Sequence, residues 1–302
     1  MIKLQSCKRG LRELCRLLGF SPQAYYQYQT GLSKRALKED LLIQQVLFHR
    51  RLQPRLGGRK LLLLMQPFID AHGIDIGRDV FFDLLQVNGL LVKRRKRNKP
   101  QTTFSNHWLR KYPDLVKGVV LSRGDELWVS DITYIRLPKK HFAYLSLVTD
   151  AYSRKIVGFC MNADLSAEGP LNALEIALKG RTGKLPLIHH SDRGVQYCAL
   201  DYVDLLNDNT IAISMTQSGD PRDNAIAERV NGILKQELLE EVYPGIKQAR
   251  QAVTTAIDTY NRIRPHSSLD MMTPEAAYFK TGEISRRWKS HYKKAAKELA
   301  VI

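Results

Sequence analysis

Three acidic residues stand where the sequence places the ends of secondary-structure elements. Asp131 lies in the β-rich run Leu127-Trp128-Val129-Ser130-Asp131-Ile132-Thr133-Tyr134-Ile135, Asp192 in His190-Ser191-Asp192-Arg193-Gly194-Val195-Gln196-Tyr197, and Glu228 in a helical stretch, with 35 residues between Asp192 and Glu228. Carboxylate oxygens are the ligands that hard cations such as Mg²⁺ prefer. Three of them on separate elements can share two ions ~3.5–4 Å apart, which activate an attacking oxygen and stabilise a leaving oxygen on phosphorus. Without a cation such carboxylates repel one another, so the site is then expected to be protonated or disordered. The plainer alternative is that a strand-end Asp forms a turn and a helical Glu is a solvated charge. The Glu228 helix speaks against it. Asn224, Glu228, Asn231 and Lys235 form one polar stripe, and Ala227, Val230, Leu234 and Leu238 form a second, apolar one.

The elements that must carry these residues can be read from pattern. Leu127–Ile135, His141–Val148 and Ile156–Met161 are predicted strands in hairpin order, with a turn at Pro138-Lys139-Lys140. A helix over Ser166–Lys179, a strand over Leu187–His190, a helix over Leu200–Leu206 and a strand over Ile211–Ile213 follow. The Glu228 helix, with Asp223 as its N-cap, comes next. Three hairpin-ordered strands followed by alternating helix and strand imply an α/β fold with a mixed five-stranded sheet and flanking helices. No Gly-x-Gly-x-x-Gly and no Gly-Lys-Ser/Thr phosphate loop occurs, which counts against nucleotide-binding folds.

The front of the chain reads as all-helical. Leu11, Leu14, Leu17 and Leu18 mark an amphipathic helix that Gly19 ends, and Ser21-Pro22 opens a second, short one. Arg59–Asp70 is a further helix that Pro67 should end or kink. Arg78–Val87 carries Val80, Phe81, Leu84 and Leu85 on one side before Gly89. Each pair has the outline of a helix-turn-helix, though an ordinary helical hairpin has the same outline.

Charge separates the parts. The 302 residues hold 47 Lys/Arg and 30 Asp/Glu, a net charge of +17, which favours a polyanionic partner. Residues 1–120 carry a net +15, residues 121–279 a net −3, and residues 280–302 a net +5. The densest run, Lys93-Arg94-Arg95-Lys96-Arg97, lacks apolar periodicity and reads as a linker lying along phosphates. The expected division is a helical DNA-binding region at 1–92, a basic linker at 93–120, a catalytic core at 121–282 and a basic tail at 283–302. No apolar run approaches the ~20 residues of a membrane span, and no signal peptide is recognisable at the N-terminus. The four cysteines, Cys7, Cys15, Cys160 and Cys198, form no Cys-x-x-Cys pair, which leaves a disulfide framework or a zinc site poorly supported and points to reduced thiols in the cytoplasm.

The motifs together resemble the DDE integrase core, and more narrowly the second-frame (OrfB-type) transposases of the insertion-sequence-three (IS-three) family. The resemblance rests on Trp128-x-x-Asp131-x-Thr133-Tyr134, on His190-Ser191-Asp192-Arg193-Gly194-x-Gln196-Tyr197 and on Asp223-Asn224-Ala225-x-Ala227-Glu228. Asn231, Leu234-Lys235 and Glu237-Leu238 continue it, and Tyr260-Asn261-x-x-Arg264-Pro265-His266-Ser267-Ser268-Leu269 with Thr273-Pro274 matches that family's C-terminal signature. It runs over roughly 10–280 and includes Cys15-Arg16-Leu17-Leu18-Gly19, Tyr25-Tyr26 and a variant stretch at Pro54–Leu61.

The resemblance implies a ribonuclease H-like core in which Asp131, Asp192 and Glu228 are catalytic and bind two Mg²⁺ ions, with Mn²⁺ as a substitute. It implies DNA cleavage at the ends of an insertion sequence and 3′-hydroxyl attack on a second phosphodiester, by a bacterial, nucleoid-associated protein. DNA partners would be terminal inverted repeats and target, bound by a homo-oligomer, with an upstream-frame (OrfA-type) protein as a further partner. Lys235 and Asn231 would contact phosphate near the cut, and Arg193 and Gln196 would touch DNA. His190 reads as packed, with ligand orientation as the alternative, and His266 as structural. Two features depart from relatives: the zinc module of retroviral integrases is absent, and no leucine-zipper segment precedes the core. The competing readings are a ribonuclease H-like nuclease that only hydrolyses and a non-catalytic DNA-binding regulator.

Overall fold

The structure, a computed structural model, describes residues 10–93, 107–181, 183, 185–217 and 224–285. The chain divides into two compact units, Met1–Arg51 with Leu56–Lys93 and Leu52–Arg55 with Arg94–Ile302.

The first unit is helical: α1 (Leu11–Leu17), α2 (Pro22–Leu52), α3 (Gly58–Ala71) and α4 (Arg78–Val87). Gly19, at φ +75°, ends α1, and the Ser21 hydroxyl accepts from Ala24 N, so the start of α2 is capped as expected. The short helix expected there instead runs 31 residues. Nothing in Gln23–Leu52 breaks a helix strongly except Gly31, and Pro54 disfavours helical backbone only at the residue before it. Pro67 does not end α3, which continues to Ala71. Pro67 and Leu63 are both exposed, so water can satisfy the Leu63 carbonyl that loses its helical partner. Leu61, Met65 and Ile69, spaced by four, keep the opposite face buried. They join Leu42, Val46, Leu56, Ile74, Phe81 and Leu85 in one core, while Val80, expected on the apolar side, is exposed.

The second unit is built on a sheet of β1 (Leu127–Arg136), β2 (Phe142–Asp150), β3 (Ile156–Asn162), β4 (Ile188–Ser191) and β5 (Ala212–Met215), ordered β3-β2-β1-β4-β5. The β1–β2 and β2–β3 pairs are antiparallel, and the β1–β4 and β4–β5 pairs are parallel. With α5 (Glu168–Gly180), α6 (Leu200–Asp208), α7 (Ala225–Ile233), α8 (Ile246–Arg262) and α9 (Pro274–Tyr278), this is the mixed, helix-flanked five-stranded sheet that the order of predicted elements implied. One face packs on α5 and α6 through Trp128, Val148, Leu174, Tyr202 and Leu206. The other packs on α7 and α8 through Leu145, Leu147, Val230, Ile257 and Tyr260.

Residues 107–120, expected in the basic linker, lie against this unit. Leu109 and Tyr112 pack on the first-named cluster, Met215 N donates to the Pro113 carbonyl (3.2 Å), and Leu115 N donates to Ser214 Oγ (2.9 Å). The strip thereby satisfies polar groups of the edge strand β5, which would otherwise face water. The opposite edge, β3, is closed by Asn261, whose amide accepts from Ile156 N (3.0 Å) and donates to Ile156 O (2.9 Å). The rest of the C-terminal signature is also structural. Tyr260 OH donates to Arg154 O (3.1 Å), His266 Nδ1 lies 2.8 Å from Ser268 Oγ, and buried Arg264 pairs with Glu237.

Candidate active site

β1 and β4 run side by side and parallel, with Leu127 opposite Ile188, Trp128 opposite His189 and Val129 opposite His190. Continuing that register beyond Val129 brings Asp131 opposite Asp192, and paired strands lie only ~4.8 Å apart. Both carboxylates line one small cleft of about 20 Å³, together with Ile132, Leu165, Gly194, Gln196 and Tyr197. That volume suits a water or a bare ion and no larger group.

Glu228 reaches the same neighbourhood on α7. Two amides of that helix are tied to β1 on either side of it: Asn224 Nδ2 donates to Ser130 O (2.9 Å), and Asn231 Nδ2 donates to Asp131 Oδ2 (2.7 Å). Glu228 itself is exposed and stands outside the cleft lining. Its charge is nevertheless felt at Asp131. Burial pushes the Asp131 carboxyl up to about 7, with the Asp192 and Glu228 charges adding to the rise and the Asn231 and Ile132 hydrogen bonds opposing it. Among the described residues, no three His, Cys, Asp or Glu side chains are close enough together to hold a metal ion. The donor set still fits an oxygen-seeking cation: the carboxylates bring only oxygens, and their mutual repulsion is what a positive ion would relieve.

The α7 helix differs from the expected continuous one. Asp223 lies outside the described residues, Asn224 occupies the cap position, and the helix passes at Leu234–Leu238 into a π-helical turn. The polar stripe is split by burial: Asn224 and Asn231 are buried, and Glu228 is exposed. Asn231 is 6% exposed, with its amide given to the Asp131 carboxylate. Lys235 Nζ sits 3.5 Å from the centre of the Tyr134 ring, and burial pushes its ammonium down to about 8 while the Asp131 charge opposes the fall.

The other expected DNA contacts are placed as follows. Arg193 Nε donates to Thr216 O (2.6 Å) and its Nη2 to Gln217 Oε1 (2.9 Å), so the side chain braces the loop after Asp192. Gln196 Nε2 donates to Leu165 O (2.9 Å). Lys93 is exposed, and Arg94, Arg95, Lys96 and Arg97 lie outside the described residues. His190 is packed, with Nδ1 2.9 Å from Ser214 Oγ. Sequence reasoning missed the layer behind the site: His189 Nε2 lies 2.7 Å from Ser130 Oγ and 2.9 Å from Tyr202 OH, and burial lowers His189 to about 3. It also missed α8, whose buried Ala249, Val253, Ala256, Ile257 and Tyr260 follow a plain helical period.

An integrase core domain model matches residues 122–221, and a second model of the same description matches 209–274. The chain is 31% identical over 268 residues to an uncharacterized 31 kDa protein of insertion element IS600 from Shigella sonnei, covering 87% of this chain and 96% of that one. It is 30% identical over 285 residues to the transposase for insertion sequence element IS629 of Shigella sonnei, covering 89% and 93%. Transposase InsF for insertion sequence IS3A of Escherichia coli strain K12 is 28% identical over 281 residues, covering 91% and 96%. Among solved structures, the HTLV-2 integrase catalytic core domain in complex with magnesium matches 52% of this chain and 97% of its own, at 18% identity and a TM-score of 0.41.

Proposed function

The chain belongs to the IS-three family of insertion-sequence transposases, and from that premise we propose that it cuts DNA at the ends of an insertion sequence and joins them to a target. Asp131, Asp192 and Glu228 would hold divalent cations, two Mg²⁺ ions with Mn²⁺ as a substitute. When bound, the metal supplies Lewis-acid polarisation of the phosphodiester and of the attacking oxygen.

The protein's own residues set the stage. Asn231 and the Ile132 N–H orient the two oxygens of Asp131, and Gly194 N donates to Asp192 Oδ1 (2.9 Å). Asn224 and Asn231 fix the helix that carries Glu228, and Lys235 adds a cation on the same side. Hydrolysis adds water across one phosphodiester and leaves a 3′-hydroxyl and a 5′-phosphate. That hydroxyl then attacks a target phosphodiester, loses its proton and displaces the target's own 3′ oxygen. One phosphodiester forms as one breaks, so joining needs no external energy source.

The basic run Lys93–Arg97 would track phosphates, the assembly on DNA would be a homo-oligomer, and an upstream-frame protein would be its partner. No helix among the described residues is long and apolar enough to cross a membrane, which suits work on DNA in the bacterial cytoplasm and nucleoid. The observation that supports the reading is the parallel β1–β4 register, which sets Asp131 opposite Asp192, together with the Asn224 and Asn231 bonds that tie the Glu228 helix to β1.

The test uses labelled terminal-repeat DNA and Mg²⁺ with the natural chain and Glu228→Gln. Joined strands from the natural chain alone, with DNA binding retained by the variant, are expected. Nicks without joining would indicate a pure nuclease, and tight binding without reaction a regulator or a missing partner.

A further inference from the structure

A tryptophan stands almost free in water on the strip that bonds to the loop after Asp192. Trp108 is 92% exposed, more than any other large apolar side chain among the described residues. An indole ordinarily buries ~150–250 Å² in a core or interface. Packing within the unit therefore gives Trp108 no role.

Its surroundings are fixed all the same. His107 Nε2 donates to the Arg193 carbonyl (2.8 Å), one residue from Asp192. Leu109, on the other side, packs into the apolar cluster of Trp128 and Tyr197. Further along, Pro113 and Leu115 are tied to β5 by hydrogen bonds. The strip is thus anchored before, after and beyond Trp108, and the indole projects from it. Two exposed cations adjoin it: Arg110, with its guanidinium 5.1 Å from the Tyr112 ring centre, and Lys111, with Nζ donating to His107 O (3.1 Å).

We infer that Trp108 is a stacking platform for an unpaired base of the bound DNA, with Arg110 and Lys111 on the adjoining phosphates. The inference rests on the DNA-joining reading above and adds a binding element to it. A base inside a duplex has both faces covered by its neighbours, so an open indole face can be stacked only by a terminal or splayed-out base. Cutting and joining at a DNA end supply such bases next to the acidic cleft. Aromatic stacking takes any base and depends little on salt, whereas the adjoining cations contribute a salt-dependent share. The strongly positive chain favours a polyanion over a protein as occupant.

The test uses the full chain and two hairpin oligonucleotides, one blunt and one with a short unpaired 3′ tail carrying 2-aminopurine. The natural chain should bind the tailed hairpin more tightly and quench its fluorescence. Trp108→Ala should weaken tailed binding by about 5- to 100-fold, weaken blunt binding much less and restore the fluorescence. Trp108→Phe should keep part of both effects, and neither variant should change the melting temperature, because the side chain touches little. Arg110→Ala with Lys111→Ala should weaken both hairpins and flatten the salt dependence.

Equal affinity of the natural chain for the two hairpins would overturn the inference. So would quenching that survives Trp108→Ala, or self-association that depends on Trp108. The two readings fail separately. Trp108-dependent quenching by a chain that never cuts or joins supports the platform and counts against joining by this chain alone. Normal joining with quenching indifferent to residue 108 does the reverse.

Discussion

Arg264 and Glu237 give the most direct test of how the C-terminal signature holds the core. The Arg264 side chain is 1% exposed and that of Glu237 22%. Arg264 Nε donates to Glu237 Oε2 and Nη2 to Oε1, both at 2.9 Å, and Nη1 donates to Pro265 O at 3.4 Å. This two-pronged pair joins the segment after α8 to the π-helical turn after α7. Breaking a buried pair by removing one partner costs roughly 3–5 kcal/mol, because the remaining charge is stranded. Arg264→Met keeps the stem and strands Glu237, which can still turn toward water, so about 3 kcal/mol is expected. Glu237→Met strands the more deeply buried guanidinium and should cost at least as much. Replacing both by Met should recover most of the loss, giving a coupling of more than ~3 kcal/mol in a double-mutant cycle. For a domain of this size about 3 kcal/mol lowers the melting temperature by roughly 6–12 °C. Thermal and urea melts of the four proteins measure all of these terms. A loss below ~1 kcal/mol, the value of an exposed pair, or simple additivity of the two single changes would refute the reasoning.

Asn231→Ala removes the amide that orients Asp131, and should lower cutting and joining by about 10- to 100-fold with DNA binding retained. An active variant would show that the bond does not organise the site. Lys93→Glu with Arg95→Glu should weaken binding to every sequence alike and reduce the slope of log K against log salt by about 2. A titration with an unchanged slope would take this run off the DNA. Asp150 supplies a pH test. Burial raises its carboxyl to about 6, against hydrogen bonds from Ser153 and the Asp125 N–H, whereas an unfolded Asp titrates near ~3.9. The folded state thus holds this proton more tightly, so its stabilising contribution is full below pH ~4 and is lost as pH rises through about 6. Melts between pH 4 and 7 should fall less steeply for Asp150→Asn than for the natural chain, and parallel curves would contradict this.

Much of the molecule is written in local pattern. The strands around Asp131, His141–Val148 and Ile156–Met161 were legible because apolar and β-branched residues cluster between turn formers. The glycine stops at Gly19 and Gly89 were legible because each takes a positive φ that other residues avoid. The acidic triplet stood out by residue type and order, and the charge asymmetry needed only counting.

What the pattern could not carry was anything decided by partners distant in the chain. The extent of α2 depends on the absence of a stop, which a helix-start signal does not reveal. Pro67 reads as a breaker until burial shows that its ring and the freed carbonyl face water. Residues 107–120 look like basic linker because their hydrogen-bond partners, Ser214 and Met215, lie some hundred residues later. Asn231 looked like one more polar residue on an exposed stripe, and only packing against β1 made it the partner of Asp131. The same holds at the centre of the site. The sequence by itself determined which carboxylates are available and on what kind of element each sits. The tertiary structure alone decided that Asp131 and Asp192 are neighbours, because strand register is settled by hydrogen bonding and packing between β1 and β4 across 61 residues, and no local periodicity encodes it.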